Sequence, residues 1–343
     1  MKFDFAIGNP PYQEENESNG RKPPIYHLFM EQTYQIANAV ELITPARFLF
    51  EAGQTPKKWN QKMLNDEHFK VLLYESDGSR IFPNTDIKGG VAITLRDEKR
   101  DFGKIQVFTA FDELNGILKK ISQYECDTLR LDSMVSSRGY YRLTDRFFID
   151  YPDAPNKLGT GTGNMIVSNI FDKLPEVFLD KCPTDSKKYI RILGRTNNER
   201  VYRYIKRVYV QHNEYIDTFN VLLPKSNGSG AFGETLSSPL VGKPNEAATD
   251  TFINIGTFET EYEAESMLKY LKSKFARALL SIKKVTQDNP KSVWKIIPVQ
   301  DFSSGSDINW TTDISCIDQQ LYRKYNFSEK EIDFIETNVK EMD

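Results

Sequence analysis

Phe3-Asp4-Phe5-Ala6-Ile7-Gly8-Asn9-Pro10-Pro11-Tyr12 is the stretch from which the rest of this 343-residue chain is read. Residues 3–8 read as an apolar strand, and that strand ends abruptly in a rigid polar tip. Each proline fixes its own φ and biases the residue before it toward extended backbone. The side-chain oxygen of Asn9 and the carbonyl of Pro10 are therefore held in place rather than left to search. Asn and Pro are ordinary turn residues, so the tetrapeptide alone marks no more than a turn. The apolar run in front of it raises the reading, because it sets the tip at the carboxyl end of a strand expected to be buried.

From this strand the pattern continues as alternating elements. Residues 13–24 are polar and read as a loop. Apolar residues at helical spacing (Ile25, Leu28, Phe29, Ile36) predict a helix over 25–39, and residues 40–45 predict a second strand stopped by Pro45. A helix around Trp59, Met63 and Leu64 follows, then strands at 71–74, 91–95 and 105–108 and a helix over 111–122. Alternation of this kind argues an α/β sheet. Beyond it the segments become short, aromatic and turn-rich, which places a domain boundary near 124–135 and divides the chain into 1–125 and 126–343. A long helix over 263–280 and a helical end over 317–340 close the chain.

Composition narrows the classes. A hydrophobic fraction of 39% with interspersed charge suits a globular protein, and no apolar run reaches membrane-spanning length. Cys126, Cys182 and Cys316 are odd in number and far apart, and His27, His68 and His212 are isolated, so neither a disulfide framework nor a metal site is expected. A cytoplasmic location is the expectation. The net charge of −3 hides segregation: residues 187–207 hold eight basic residues and one acidic, whereas residues 326–343 hold six acidic and two basic. A basic face is compatible with an acidic total.

Asn-Pro-Pro-Tyr after an apolar strand resembles the catalytic motif of the amino-group DNA methyltransferases, and among them the N6-adenine enzymes of type II restriction-modification systems. Ala46-Arg47-Phe48-Leu49 after the second strand resembles a further stretch of that family. So does the neighbourhood of residues 81–95, and so does the run from Phe275 through Trp294 to Pro298. The resemblance implies a fold, α/β, in which a partial Rossmann-like methyltransferase sheet is followed by a mixed α+β target-recognition domain. It implies direct methyl transfer from S-adenosylmethionine to N6 of an adenine flipped out of double-stranded DNA. That amine is a poor nucleophile, because its lone pair is delocalised into the ring. The Asn9 oxygen and Pro10 carbonyl would accept its two N–H bonds, Pro11 would stiffen the tip, and the rings of Tyr12 and Phe82 would stack the base.

For DNA contact the residue types single out Lys88, beside Gly89-Gly90, and the basic run of Lys187, Lys188, Arg191, Arg195, Asn197, Asn198, Arg200, Arg203, Lys206 and Arg207. Arg reads guanine bidentately, Asn reads adenine, and Lys holds phosphates. A solvated basic edge strand is the plain alternative.

Gly228-Ser229-Gly230-Ala231-Phe232-Gly233 fits the spacing of a dinucleotide-binding loop, with Asp250 at a tolerable distance for the acidic partner. Such a loop must lead from a strand into a helix, and residues 236–239 make a poor helix, so it reads as a loop of the second domain. Most of the cofactor site that the resemblance implies is therefore expected outside this chain, in an amino-terminal segment or a partner chain, and a restriction endonuclease is a further expected partner. A non-catalytic DNA-binding specificity module, and a methyltransferase acting on RNA or on protein glutamine, stay open as alternatives.

Overall fold

A computed structural model describes residues 2–14, 23–51, 54–83, 85, 87, 89–123, 129–159, 161, 163–284 and 286–342. The chain divides into two compact units, Met1–Lys119 and Lys120–Asp343.

The first unit is built on β1 (Phe3–Gly8), α1 (Tyr26–Ile36), β2 (Ala37–Pro45), α2 (Lys57–Leu64), β3 (Phe69–Glu75) and β4 (Val91–Asp97); α3 (Asp112–Ser122) spans the division. The strands form one sheet in the order β1-β2-β4-β3, parallel between β1 and β2 and antiparallel elsewhere. The α/β class is borne out. Alternation along β2 decides its faces: Val40, Leu42 and Thr44 are buried, and Val40 and Leu42 join Met30, Phe48, Trp59 and Met63 in the core.

Three expectations are corrected here. The first strand is an exposed edge strand rather than a buried one: Phe3, Phe5 and Ile7 share one face, and Phe3 and Ile7 are 68% and 74% exposed. The reason is that among the described residues no helix covers that face and no strand pairs the outer edge. Residues 105–108 form no strand, because Gln106 takes a left-handed φ of 55° and turns the chain over. The helix predicted over 25–39 ends at Ile36, and the second strand begins directly at Ala37.

In the second unit, α4 (Asp145–Asp150), α5 (Ala154–Leu158) and α6 (Ile170–Lys173) precede β5 (Tyr189–Thr196) and β6 (Glu199–Lys206). Then come α7 (Glu214–Asp217), β7 (Phe219–Pro224), β8 (Leu240–Gly242), β9 (Glu246–Ala248) and β10 (Phe252–Phe258). Two three-stranded sheets result, β10-β7-β8 and β6-β5-β9, and one apolar core unites residues of both, Ile192 and Leu193 with Leu222 and Phe252. Four helices close the chain: α8 (Glu261–Lys272), α9 (Lys274–Lys283), α10 (Ile314–Lys324) and α11 (Glu329–Asn338).

The single long helix expected over 263–280 is broken at Ser273. Its hydroxyl accepts from the Ala276 amide, and the Asp318 carboxylate accepts from the amides of Lys274 and Phe275. A side chain that satisfies the orphan amides of a new helix start makes that break stable. Thr260 with Glu263 and Ser328 with Glu331 form reciprocal caps at the starts of α8 and α11.

Candidate functional site

β1 and β2 both end, at Gly8 and Pro45, on the edge of the sheet where β3 ends and β4 begins. Four loops therefore converge there: Asn9 to Tyr12, Ala46 with the 3-10 turn Arg47–Phe50, the turn after Glu75, and Gly89-Gly90. They are tied to one another. Ala46 donates its amide to the Gly90 carbonyl at 3.0 Å, and Ile25 donates to the Tyr12 carbonyl at 3.1 Å. Gln13 bridges to Pro24, which closes the base of the loop whose residues 15–22 lie outside the described residues.

The tip has the form its sequence asks for. Asn9 is exposed, and its carboxamide makes no hydrogen bond among the described residues. Tyr12 is half-buried; its hydroxyl is buried without a partner among the described residues, and burial pushes its pKa up to about 12, so it stays neutral. The Tyr12 and Phe82 rings lie edge to face, 6.3 Å between centroids. A carboxamide without a hydrogen bond among the described residues can accept hydrogen bonds from a planar amine, and aromatic rings on the same loop edge can pack a heterocycle.

Phe82 is presented by a tight turn after β3. Its amide donates to the Gly78 carbonyl at 2.9 Å, and Thr85 closes back on the Phe82 carbonyl. Gly89 and Gly90 both have φ near +80°, and a side chain at Gly90 would meet the Glu75 carbonyl at 2.4 Å. Lys88 lies outside the described residues. Arg47, on the same loop edge, was not singled out by sequence reasoning. Phe48 and Leu49 are buried and Arg47 is exposed, so the signal was a lone cation in front of an apolar pair that must point inward.

The basic run of the second unit falls on the β5–β6 hairpin, and the hairpin separates its members. Asn197 and Asn198 are the two-residue turn, with φ of 50° and 64°, the geometry that fits the twist of a hairpin. Arg195 donates to the Asn198 carbonyl, and Arg200 donates to the carbonyls of Ser237 and Ser238. Midway, Arg191 is paired with Glu246 and lies over the Tyr202 ring, and Arg203 is paired with Asp180. At the far end, about 25 Å from the turn by strand length, Lys187, Lys188, Lys206 and Arg207 gather with Val208, Val210 and His212 around an open cleft of about 520 Å³. The hairpin thus carries a basic cleft at one end and a turn flanked by two exposed arginines, Arg195 and Arg200, at the other.

The loop Gly228 to Gly233 holds an anion of its own. The amides of Ser229 and Gly230 donate to the Glu234 carboxylate at 2.8 and 3.1 Å, and buried Lys284 donates to it at 2.6 Å. Burial raises the Glu234 pKa, but Lys284 and the two amides overcome it and leave the group below its ordinary value. Asp250 is buried and paired with Arg138 and Lys225. Neither half of a dinucleotide site is free here. Among the described residues no metal-binding cluster occurs, and no helix is long and apolar enough to cross a membrane.

Comparison with known proteins bears on the amino-terminal part. Residues 1–82 match the model of the Eco57I restriction-modification methylase family. A protein of Mycoplasma pneumoniae described as an uncharacterized adenine-specific methylase is 28% identical over 140 residues, 40% of this chain and 32% of that protein. The chain therefore spans about a third of the length of that relative. Two solved structures are similar at 10% identity: the type IIG restriction endonuclease BpuSI, over 93% of this chain and 48% of that one with a TM-score of 0.33, and the type IIL restriction-modification enzyme MmeI in complex with DNA, over 98% and 56% with a TM-score of 0.31. The resemblance read from Asn9 to Tyr12 is borne out over residues 1–82.

Proposed function

We propose that this chain supplies the catalytic motif and the DNA-recognition portion of a restriction-modification enzyme that methylates N6 of adenine with S-adenosylmethionine. The observation that carries the reading is the carboxamide of Asn9, placed after β1 in front of two prolines and without a hydrogen bond among the described residues, on the same loop edge as the edge-to-face pair of Tyr12 and Phe82. S-adenosylmethionine, when bound, supplies the methyl group. The chain's own task is to hold the amine. With its N–H bonds accepted by Asn9 Oδ1 and the Pro10 carbonyl, the nitrogen's lone pair is drawn out of conjugation toward the incoming methyl. Acceptors fixed beforehand cost little reorganisation at the moment of reaction, and holding two reactants in line lowers a barrier by about 7–11 kcal/mol.

The described residues fit only part of the cofactor. The tip fits the region of the transferable methyl, while the glycine loop 228–233 does not fit a nucleotide, because Glu234 fills it. The exposed face of Phe3, Phe5 and Ile7, with the unpaired outer edge of β1, is a surface that further strands and helices would cover. The cofactor-binding segment is assigned to that edge. Amide exchange at residues 3–7 slowed by that segment supports the assignment, and exchange unchanged by it refutes it.

The basic cleft around Lys187, Lys206 and Arg207 would grip the duplex backbone, and the hairpin turn, with Arg195 exposed, would approach the bases. The whole reading is tested by incubating the native protein with DNA and S-adenosylmethionine and mapping the modified base. N6-methyladenine at one recurring sequence supports it; DNA left unmethylated, or methylated on cytosine, overturns it.

A further inference from the structure

Arg47 lies on the loop edge around Asn9, and its chemistry is not used in holding the amine. Its stem is fixed. A Cβ at Gly89 would lie 2.4 Å from Arg47 Cγ and 3.2 Å from Cδ, so the Gly89 backbone lies against the stem, and a side chain there would displace it. The residue is exposed, and its guanidinium makes no hydrogen bond or ion pair with a described residue. Among the described residues, two acidic side chains of this edge are already engaged. Glu75 pairs with Arg80 at 3.5 Å and accepts from the Asp77 amide, and Asp77 accepts from the amide and hydroxyl of Ser79. A cation with a packed stem and no hydrogen bond or ion pair among the described residues, on the same loop edge as Asn9, is arranged for an anion from outside.

We propose that Arg47 binds a phosphodiester of the DNA strand that delivers the target base to Asn9. The inference rests on the reading of this edge as the base site. A nucleotide rotated out of a duplex brings its own phosphates to the mouth of the pocket that takes its base. A guanidinium offers paired donors in a planar fork that matches two phosphate oxygens, whereas an ammonium offers a point charge. The contact carries no sequence information. It fixes where along its strand the base enters.

The test uses the native full-length protein and its Arg47→Gln and Arg47→Lys variants. Mapping N6-methyladenine in cells expressing the native protein gives the target sequence, and a duplex carrying 2-aminopurine at the methylated position reports extrusion of the base. Arg47→Gln should weaken binding of that duplex about 10- to 100-fold. It should also reduce the slope of log affinity against log salt by about one and diminish the 2-aminopurine signal. Arg47→Lys should keep the salt slope and recover part of the signal. Unchanged slope and fluorescence in Arg47→Gln overturn the proposal. So does a loss confined to S-adenosylmethionine affinity, which makes the cofactor carboxylate the ligand. Equal losses in both variants together with a lowered melting temperature also overturn it, because they reduce Arg47 to a prop for Gly89. A native protein that leaves no N6-methyladenine fails earlier, at the reading on which this proposal rests.

Discussion

Lys284→Met tests the account of the glycine loop as an element closed on its own anion. The Lys284 side chain is 3% exposed and that of Glu234 14%; the ammonium donates to Glu234 at 2.6 Å and to the Asn227 carbonyl at 2.9 Å. Removing one partner of a buried ion pair costs about 3–5 kcal/mol. Glu234 keeps two loop amides and some water, which puts the expected loss at the lower end, about 3 kcal/mol. The sign with pH follows from the depressed pKa of Glu234. Its contribution is present above the ordinary carboxyl value of 4.5 and is lost as pH falls through the lower folded value, so the penalty should shrink in acid. Urea unfolding followed through Trp294 and Trp310, both buried in this unit, measures it. A double variant with Glu234→Gln should recover about 2 kcal/mol of the combined single losses. A loss under about 1 kcal/mol for Lys284→Met, or strictly additive losses, refutes the closed-loop account.

Three further outcomes are expected. Asn198→Gly should leave stability unchanged or slightly raised, and Asn198→Val should cost about 1–2 kcal/mol in thermal unfolding, because Asn198 sits at a φ of 64° in a two-residue turn; a harmless valine contradicts this. Burial lifts the Asp318 carboxyl from its ordinary 3.8 to about 6. The stability carried by its neutral form is thus complete below 3.8 and lost as pH rises through about 6, amounting to about 3 kcal/mol. Asp318→Asn should flatten that part of the pH profile, and a profile identical to wild type refutes it. Lys206→Gln should weaken binding to every duplex sequence alike and reduce the salt slope by about one; an unaltered slope places the phosphate grip elsewhere.

The tip at residues 9–12 was legible because two prolines after an apolar strand leave few backbone choices, and the family match falls on the same residues. The α/β alternation was legible for the same local reasons. What composition could not supply was partnership at a distance. The basic run of residues 187–207 looks continuous in sequence, yet a hairpin folds it so that Glu246 and Asp180 engage Arg191 and Arg203 in its middle. Asn197 and Asn198 were read as contact residues from their type alone; that their left-handed φ also makes them the hairpin turn was not visible in composition. The break at Ser273 depends on Asp318, 45 positions later, and no helical period reveals it. Arg47 was quoted only as part of a resemblance. The role proposed for it rests on Gly89 lying against its stem, which only the fold brings about.

The central claim is that Asn9 holds the amine that is methylated. It is tested most directly by measuring methyl transfer and duplex binding side by side for the native protein and Asn9→Ala on one oligonucleotide with S-adenosylmethionine. Loss of a single fixed transition-state contact costs at least about 100-fold in rate, so transfer should collapse by that factor or more while duplex affinity stays near wild type. Undiminished turnover by the Asn9→Ala protein contradicts the claim.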